Sequence, residues 1–271
     1  MKFDPAGLDK WTEPVSFDVT RSRLVDYALA TNDPIPAHVS GDVASPVFAI
    51  VPVFQSLLEP ALEVVPPSLF GRVLHGEQDF RFHRPIRPGD SLVSRAKMTG
   101  WEGLPKGTRA TVYLECRSSD GALVNEQYVT FFVRGFDTGS KVGELGPSHR
   151  GSHSGSPIAQ VAQHVDDDQT FRYGPAAGDP MPIHLDEEVA RAAGLPGIIA
   201  HGLCTMAFTS WAVLTSVAPA GRLRRLAVRF AAPVLPGQDL STSIWAAGSR
   251  SFAFETKVGD TVVIKDGLAE L

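Results

Sequence analysis

The chain has 271 residues, 43% of them hydrophobic and 20% charged, and a net charge of −5. That length allows one large domain or two ordinary ones, and the composition is that of a globular protein. The negative balance gives no support to nucleic-acid binding, and no apolar run reaches the roughly 18 to 20 residues of a membrane span.

The N-terminus, MKFDPAGLDKWTEPV, lacks the apolar core of a signal peptide. The two cysteines, Cys116 and Cys204, form neither a disulfide framework nor a metal motif. Both features point to a cytoplasmic location. In chain order, a short strand at Ser16–Thr20 leads into a helix over about 21–31, which Pro34 would stop. A mostly apolar helix is expected from Phe48 to Val64, buried on most sides. Alternating strands follow at Arg109–Cys116 and Gln127–Val133. Residues 135–157 are rich in Gly and Ser and read as a flexible linker, with His149 and His153 as solvated histidines. A second helix spans about 167–176, and an apolar helix runs from Gly202 to Val217. Strands at 241–246, 252–258 and 261–268 close the chain, the last two joined by a Gly259-Asp260 turn. One buried helix followed by antiparallel strands is an α+β layout.

That order occurs twice. YALATNDPIPAH (27–38) and YGPAAGDPMPIH (173–184) agree at six of twelve positions with a constant offset of 146, including Asp33/Asp179 and His38/His184. FRFHRPIRPGDSL (80–92) matches VRFAAPVLPGQDL (228–240) at an offset of 148, with Ile86 facing Val234. Two matches in the same order at nearly one offset imply two copies of one fold. The expected division is a first domain at 1–134, the linker at 135–157 and a second domain at 158–271.

The chemistry concentrates between Tyr173 and Gly202. A proline-punctuated loop brings Asp179 and His184 together, a carboxylate and an imidazole able to move a proton near neutral pH. A plainer reading of Asp179 is a cap for the helix that begins near Leu185. His201-Gly202 stands at the mouth of the apolar helix, whose first N–H groups have no internal partners and can hold a developing oxyanion. Gly202 would let a substrate approach closely. The first copy keeps Asp33 and His38. Its helix entrance, aligned as Ala49-Ile50-Val51-Pro52 against Ile199-Ala200-His201-Gly202, offers Pro52, which has no N–H, so that copy reads as catalytically silent. Arg222, Arg224, Arg225 and Arg229 form a basic cluster that reads either as contacts to the phosphates of coenzyme A or as solvated strand faces. Cys204 reads as a small buried helix residue.

The stretch AGDPMPIHLDEEVARAAGLPGIIAHG resembles the hydratase-2 motif of the MaoC-like dehydratases, roughly Ser-Gly-Asp-x-Asn-Pro-(Ile/Leu)-His with Ala-His-Gly downstream. RFAAPVLPGQDL resembles the strand that follows in that family. LHGEQDFRFHRPIRPGD is similar to the non-catalytic half of two-domain (R)-specific enoyl-CoA hydratases. The resemblance implies a double hotdog fold, two tandem domains that each wrap an antiparallel sheet around a long helix. It implies reversible hydration of trans-2-enoyl-CoA to (3R)-3-hydroxyacyl-CoA by a hydro-lyase with no metal and no cofactor. Asp179 and His184 would activate one water, and Gly202 with His201 would meet the thioester. The first copy would accommodate the acyl chain. The family's Asn and Ser are here Met181 and Ala177. Alternatives are a 3-hydroxyacyl-ACP dehydratase of the same fold, one acting on short branched or dicarboxylic acyl-CoA, and a non-catalytic acyl-thioester binder or partner-dependent subunit. A homodimer is the expected assembly.

Overall fold

The computed structural model describes residues 2–151, 153–217 and 223–271. In chain order it contains strand β1 (Val15–Asp18), helices α1 (Arg21–Ala30) and α2 (Pro36–Val39), a 3-10 stretch from Pro46 to Val53, and helices α3 (Phe54–Leu57) and α4 (Glu59–Val64). Strands β2 (Val73–Phe82), β3 (Ser91–Leu104), β4 (Gly107–Ser118), β5 (Leu123–Arg134) and β6 (Lys141–Gly143) follow. Then come β7 (Ala159–His164), helices α5 (Gln169–Ala177), α6 (Glu187–Ala192) and α7 (Gly202–Val217), and strands β8 (Arg225–Phe230), β9 (Asp239–Ala246), β10 (Ser251–Val258) and β11 (Thr261–Glu270).

Two compact units emerge, and they do not follow a single cut in the sequence. One takes the chain up to Asp18 with Pro52–Arg84 and Ser91–Ser148; the other takes Val19–Val51, Pro85–Asp90 and His149–Leu271.

In the first unit the strands run in the order β1-β3-β4-β5-β2, with β6 alongside β3. Cross-strand partners Met98, Val112 and Val129 are fully buried on one face, and α3 and α4 pack on β3. The single α-helix expected from Phe48 to Val64 does not form. Pro52 and Pro60 each remove an N–H and crowd the preceding turn, so the run begins as 3-10 and resumes as two short α-helices. The hydroxyl of Ser94 donates to the Pro52 carbonyl at 2.8 Å. Among the described residues, Pro46–Val64 is the one helical run with the length and apolarity to cross a membrane, contrary to the sequence expectation. Val47, Phe48, Ile50 and Val53 on it are fully buried within the protein, as on the core helix of a globular fold. The supposed linker is also partly ordered. Lys141–Gly143 pairs with β3, and Thr99 donates to the Glu144 carbonyl at 2.8 Å.

In the second unit the order is β8-β11-β10-β9-β7, and α7 lies against β7, β8 and β9. Eleven of the sixteen α7 residues are buried, so it is an internal helix and not an amphipathic surface one. Among its buried hydroxyls, that of Thr209 bonds the Thr205 carbonyl at 3.1 Å and the Thr256 hydroxyl at 3.1 Å. Of the two histidines expected in solvent, His149 is held here, whereas His153 is exposed. The His149 ring is buried and its Nδ1 meets the Asp266 carbonyl at 3.1 Å, while His153 stacks on Trp245 with ring centroids 4.0 Å apart.

The reason α1 belongs to this unit lies at its C-terminal end, where a helix leaves its last carbonyls unbonded. Side chains from α5 and α7 supply the donors. Arg172 reaches the Leu29 carbonyl at 3.0 Å, Gln169 reaches the Ala30 carbonyl, and the Trp211 indole reaches the Thr31 carbonyl at 3.1 Å. Arg172 is itself held by Asp166 and Asp168.

The sequence repeat is repeated in the backbone hydrogen bonds. Val19 exchanges bonds with Asp90 and Gly89, and Val165 does so with Gln238 and Gly237. Asp33 N donates to Ala28 O, and Asp179 N to Gly174 O, both at 3.0 Å. Tyr27 and Tyr173, repeat-related residues with no solvent exposure, bring their hydroxyls to 3.4 Å.

Candidate active site

Helix α5 ends at Gly178, which adopts the left-handed conformation that favours glycine at a helix C-terminus. The chain thereby turns into the Asp179–His184 loop. Asp179 does not cap the next helix. Asp186 does, accepting from Glu188 N at 2.9 Å and Val189 N at 3.0 Å. The Asp179 carboxylate accepts instead from Met181 N at 3.1 Å and is left to face the histidines.

A short 3-10 turn, Pro182–His184, carries His184 inward, where it is buried. Its Nδ1 donates to the Ile199 carbonyl at 2.8 Å, which fixes the ring and leaves Nε2 with a lone pair. The His201 ring stacks on it at 3.9 Å and also contacts Tyr173 at 4.9 Å. One ligating atom each from Asp179, His184 and His201 falls within 4.8 Å of the others.

Burial sets the electrostatics. It raises the pKa of Asp179, against the opposing pull of Met181 N and the His184 charge. It lowers that of His184, although the Ile199 carbonyl and Asp179 act the other way. His201 is pushed down to about 3 by burial and by the His184 charge, so its ring is neutral. A carboxyl moved up and an imidazole moved down approach each other in proton affinity, the condition for passing a proton between them.

Gly202 is the first residue of α7, as the sequence reading expected, and the first N–H groups of a helix point outward without intrahelical partners. The space beside its Cα is taken by the Phe230 ring, which a Cβ built there would meet at 3.3 Å. Glycine at this position therefore lets β8 close against the helix mouth. Cys204, two residues on, is buried in the core with its thiol pKa pushed up by that burial, so it is not an active thiol.

The first copy arranges the same residue types differently. His38 Nδ1 bonds Asp33 directly at 2.7 Å, and the Ser45 hydroxyl donates to the same carboxylate oxygen at 2.6 Å. The structure also changes which residues correspond. Ala44 N donates to Ile86 O at 2.9 Å, just as Ala200 N donates to Val234 O at 2.7 Å. Ser45 is thus the counterpart of His201, and Pro46 the counterpart of Gly202. The alignment of Pro52 with Gly202 is corrected by six residues. The physical point stands, because Pro46 also lacks an N–H. The Ile86/Val234 match was the sequence signal that could have placed Ser45.

Of the basic cluster, Arg222 lies outside the described residues. Arg225 stands 3.7 Å from Glu270, whereas Arg224 and Arg229 are exposed, Arg229 opposite Lys265 in the strand pair.

Residues 150–267 match the profile of the MaoC like domain, and residues 8–127 match the FAS1-like dehydratase domain region. The chain belongs to the MaoC-like dehydratases. Within that family it is 29% identical to 3-hydroxyacyl-thioester dehydratase Y of Mycobacterium tuberculosis, over all of this chain and 99% of the relative. It is 27% identical to a probable enoyl-CoA hydratase 2 of Dictyostelium discoideum, over 95% of this chain and 92% of that one. It is 31% identical to the mouse peroxisomal multifunctional enzyme type 2 over 83% of this chain, and it spans only 31% of that longer protein. A solved MaoC-like dehydratase from Phytophthora capsici superposes with a TM-score of 0.83 at 22% identity, covering 97% of this chain and 95% of its own. A Mycobacterium tuberculosis protein described as having a double hotdog fold gives 0.65 at 12% identity, over 100% of this chain and 95% of its own. The α+β double hotdog fold implied by the sequence is the fold of this chain.

Proposed function

We propose that this MaoC-like dehydratase is a hydro-lyase that adds water reversibly to a trans-2-enoyl thioester, giving the (3R)-3-hydroxyacyl thioester, with coenzyme A as the carrier. The observation that carries the reading is the Asp179–His184 pair, the histidine buried and the carboxylate part-buried, brought together without a direct bond at the mouth of α7. Relatives named for enoyl-CoA hydration and for 3-hydroxyacyl-thioester dehydration support both directions of the same reaction.

In the hydration direction one water sits between Asp179 and His184. His184 Nε2 takes a proton as the water oxygen bonds C3. The C2=C3 electrons move toward the thioester oxygen, where the outward N–H at Gly202 meets the developing charge. C2 then takes a proton from the pair. A positioned acid/base group contributes about 10²–10⁴-fold and an oxyanion donor about 10²–10³-fold. Exposed Arg224 and Arg229 suit the phosphates of the carrier. No cofactor takes part in this scheme. The protein would act in the cytoplasm as a homodimer.

The test mixes purified protein with crotonyl-CoA and longer trans-2-enoyl-CoAs and follows loss of the enoyl-thioester absorbance. Asp179→Asn and His184→Ala should each lower kcat by about 10²–10⁴-fold. Hydration that survives both substitutions overturns the assignment. Chiral analysis of the product tests the (R) configuration.

A further inference from the structure

His201 has a side chain that the proposed reaction does not use. It is 1% exposed, and neither ring nitrogen completes a hydrogen bond, the Asp179 backbone carbonyl approaching the ring only in poor geometry. Buried polar side chains are nearly always satisfied, so an orphaned imidazole calls for a missing partner. Its counterpart in the first copy has none of this character, since Ser45 spends its proton on Asp33 at 2.6 Å.

The surroundings of His201 indicate what that partner is. A carboxylate oxygen of Asp179, a nitrogen of His184 and a nitrogen of His201 all lie within 4.8 Å of one another. His184 Nδ1 is engaged by the Ile199 carbonyl, so its inward atom is Nε2. A carbonyl on the far nitrogen is the usual outer support of a metal-bound histidine, fixing both tautomer and ring plane. Two imidazole nitrogens with one carboxylate suit first-row transition ions, whereas magnesium and calcium require oxygen-rich sets. We infer that Asp179, His184 and His201 form a binding site for a divalent cation of the zinc class, which on binding displaces the reaction water.

Four ligands at about 2.1 Å from a tetrahedral ion stand about 3.4 Å apart. Binding must therefore draw the three atoms inward by roughly 1 Å, with the His201 ring turning out of its stack on His184. Three protein ligands leave a fourth position for water, and the cation then occupies the lone pair and the carboxylate that the proton transfer needs. The site itself stands on the geometry alone; only its inhibitory effect rests on the proposed hydratase activity.

The experiment titrates zinc into chelator-stripped protein against a chromophoric zinc indicator and, separately, assays hydration of crotonyl-CoA across the same zinc range. One strong zinc equivalent per chain is expected, unaffected by millimolar magnesium. Asp179→Asn and His201→Gln should each weaken it by about tenfold or more. His164→Ala, which removes a surface histidine paired with Asp239 at 2.7 Å, should leave it unchanged. Thermal melts accompany each variant, and Asp179→Asn on the half-exposed loop carries the test if His201→Gln does not fold. Equal zinc affinity in wild type and Asp179→Asn, or loss of the site in His164→Ala, overturns the inference. Zinc binding at these residues in a protein that hydrates no enoyl-CoA leaves the site standing and removes the proposed function. Undiminished hydration by zinc-saturated protein removes the displacement of water.

Discussion

Met181 stands where the family has Asn, and its side chain is 42% exposed beside a carboxylate that already accepts from its backbone N–H. Met181→Asn adds an amide able to brace Asp179 or the bound water. One hydrogen bond of about 0.5–1.5 kcal/mol predicts a rise in kcat of about two- to tenfold, with unfolding free energy changed by less than about 0.5 kcal/mol. Steady-state kinetics and a urea titration measure both. The histidines make stability depend on pH, with a definite sign. Burial pushes His201 down to about 3 in the fold from an ordinary imidazole value of 6.5, so below pH 6.5 the unfolded chain binds a proton that the fold refuses. His184 is shifted the same way. The His201 contribution to stability is present above pH 6.5 and is lost as pH falls through the window toward 3, by about 1.4 kcal/mol per pH unit, and His184 acts in the same direction. Urea midpoints should drop between pH 7 and 5, and His201→Gln should flatten that drop. Asp179 and His184 were legible as residues from their spacing and the prolines between them. The His201 contact was not, because it depends on how the turn after Leu195 folds back.

At the level of elements, the two copies show how one layout gives an open and a closed arrangement. In the first copy Ser45 fills the position held by His201 in the second, and its hydroxyl ties down the buried Asp33 carboxylate. Ser45→Ala should cost about 1–3 kcal/mol of stability by leaving that charge short of a donor, while kcat stays within twofold. Denaturant melts and kinetics read these separately, and a large kcat loss would mean that the first copy is not silent. In the second copy, α7 and β8 meet at Gly202 and Phe230. Gly202→Ala should push the ring aside and lower kcat by about tenfold or more, and adding Phe230→Leu should restore part of it. The alternating strands and α7 could be read from periodicity. The 3-10 start of the first-copy helix could not, because apolarity alone does not distinguish an α-helix from a tighter one. The two prolines that decide the matter, Pro52 and Pro60, break the run without saying which helix type begins it.

For the whole molecule, the repeat was legible at fixed offsets, but the exchange of segments was not. Residues 19–51 share a compact unit with 149–271, because side chains of α5 and α7 satisfy the last carbonyls of α1. These bonds cross 139 to 180 positions of sequence and leave no local pattern. A fragment of residues 149–271 should accordingly fail to fold alone, with Trp211 and Tyr173 uncovered. Fragments 1–148 and 149–271 expressed together should recover a soluble complex, as judged by circular dichroism and gel filtration. The same capping has an evolutionary consequence. A chain broken within 135–157 would part the α5 and α7 donors from the carbonyls at the end of α1 that accept from them. A rearrangement that keeps these bonds therefore carries both copies together.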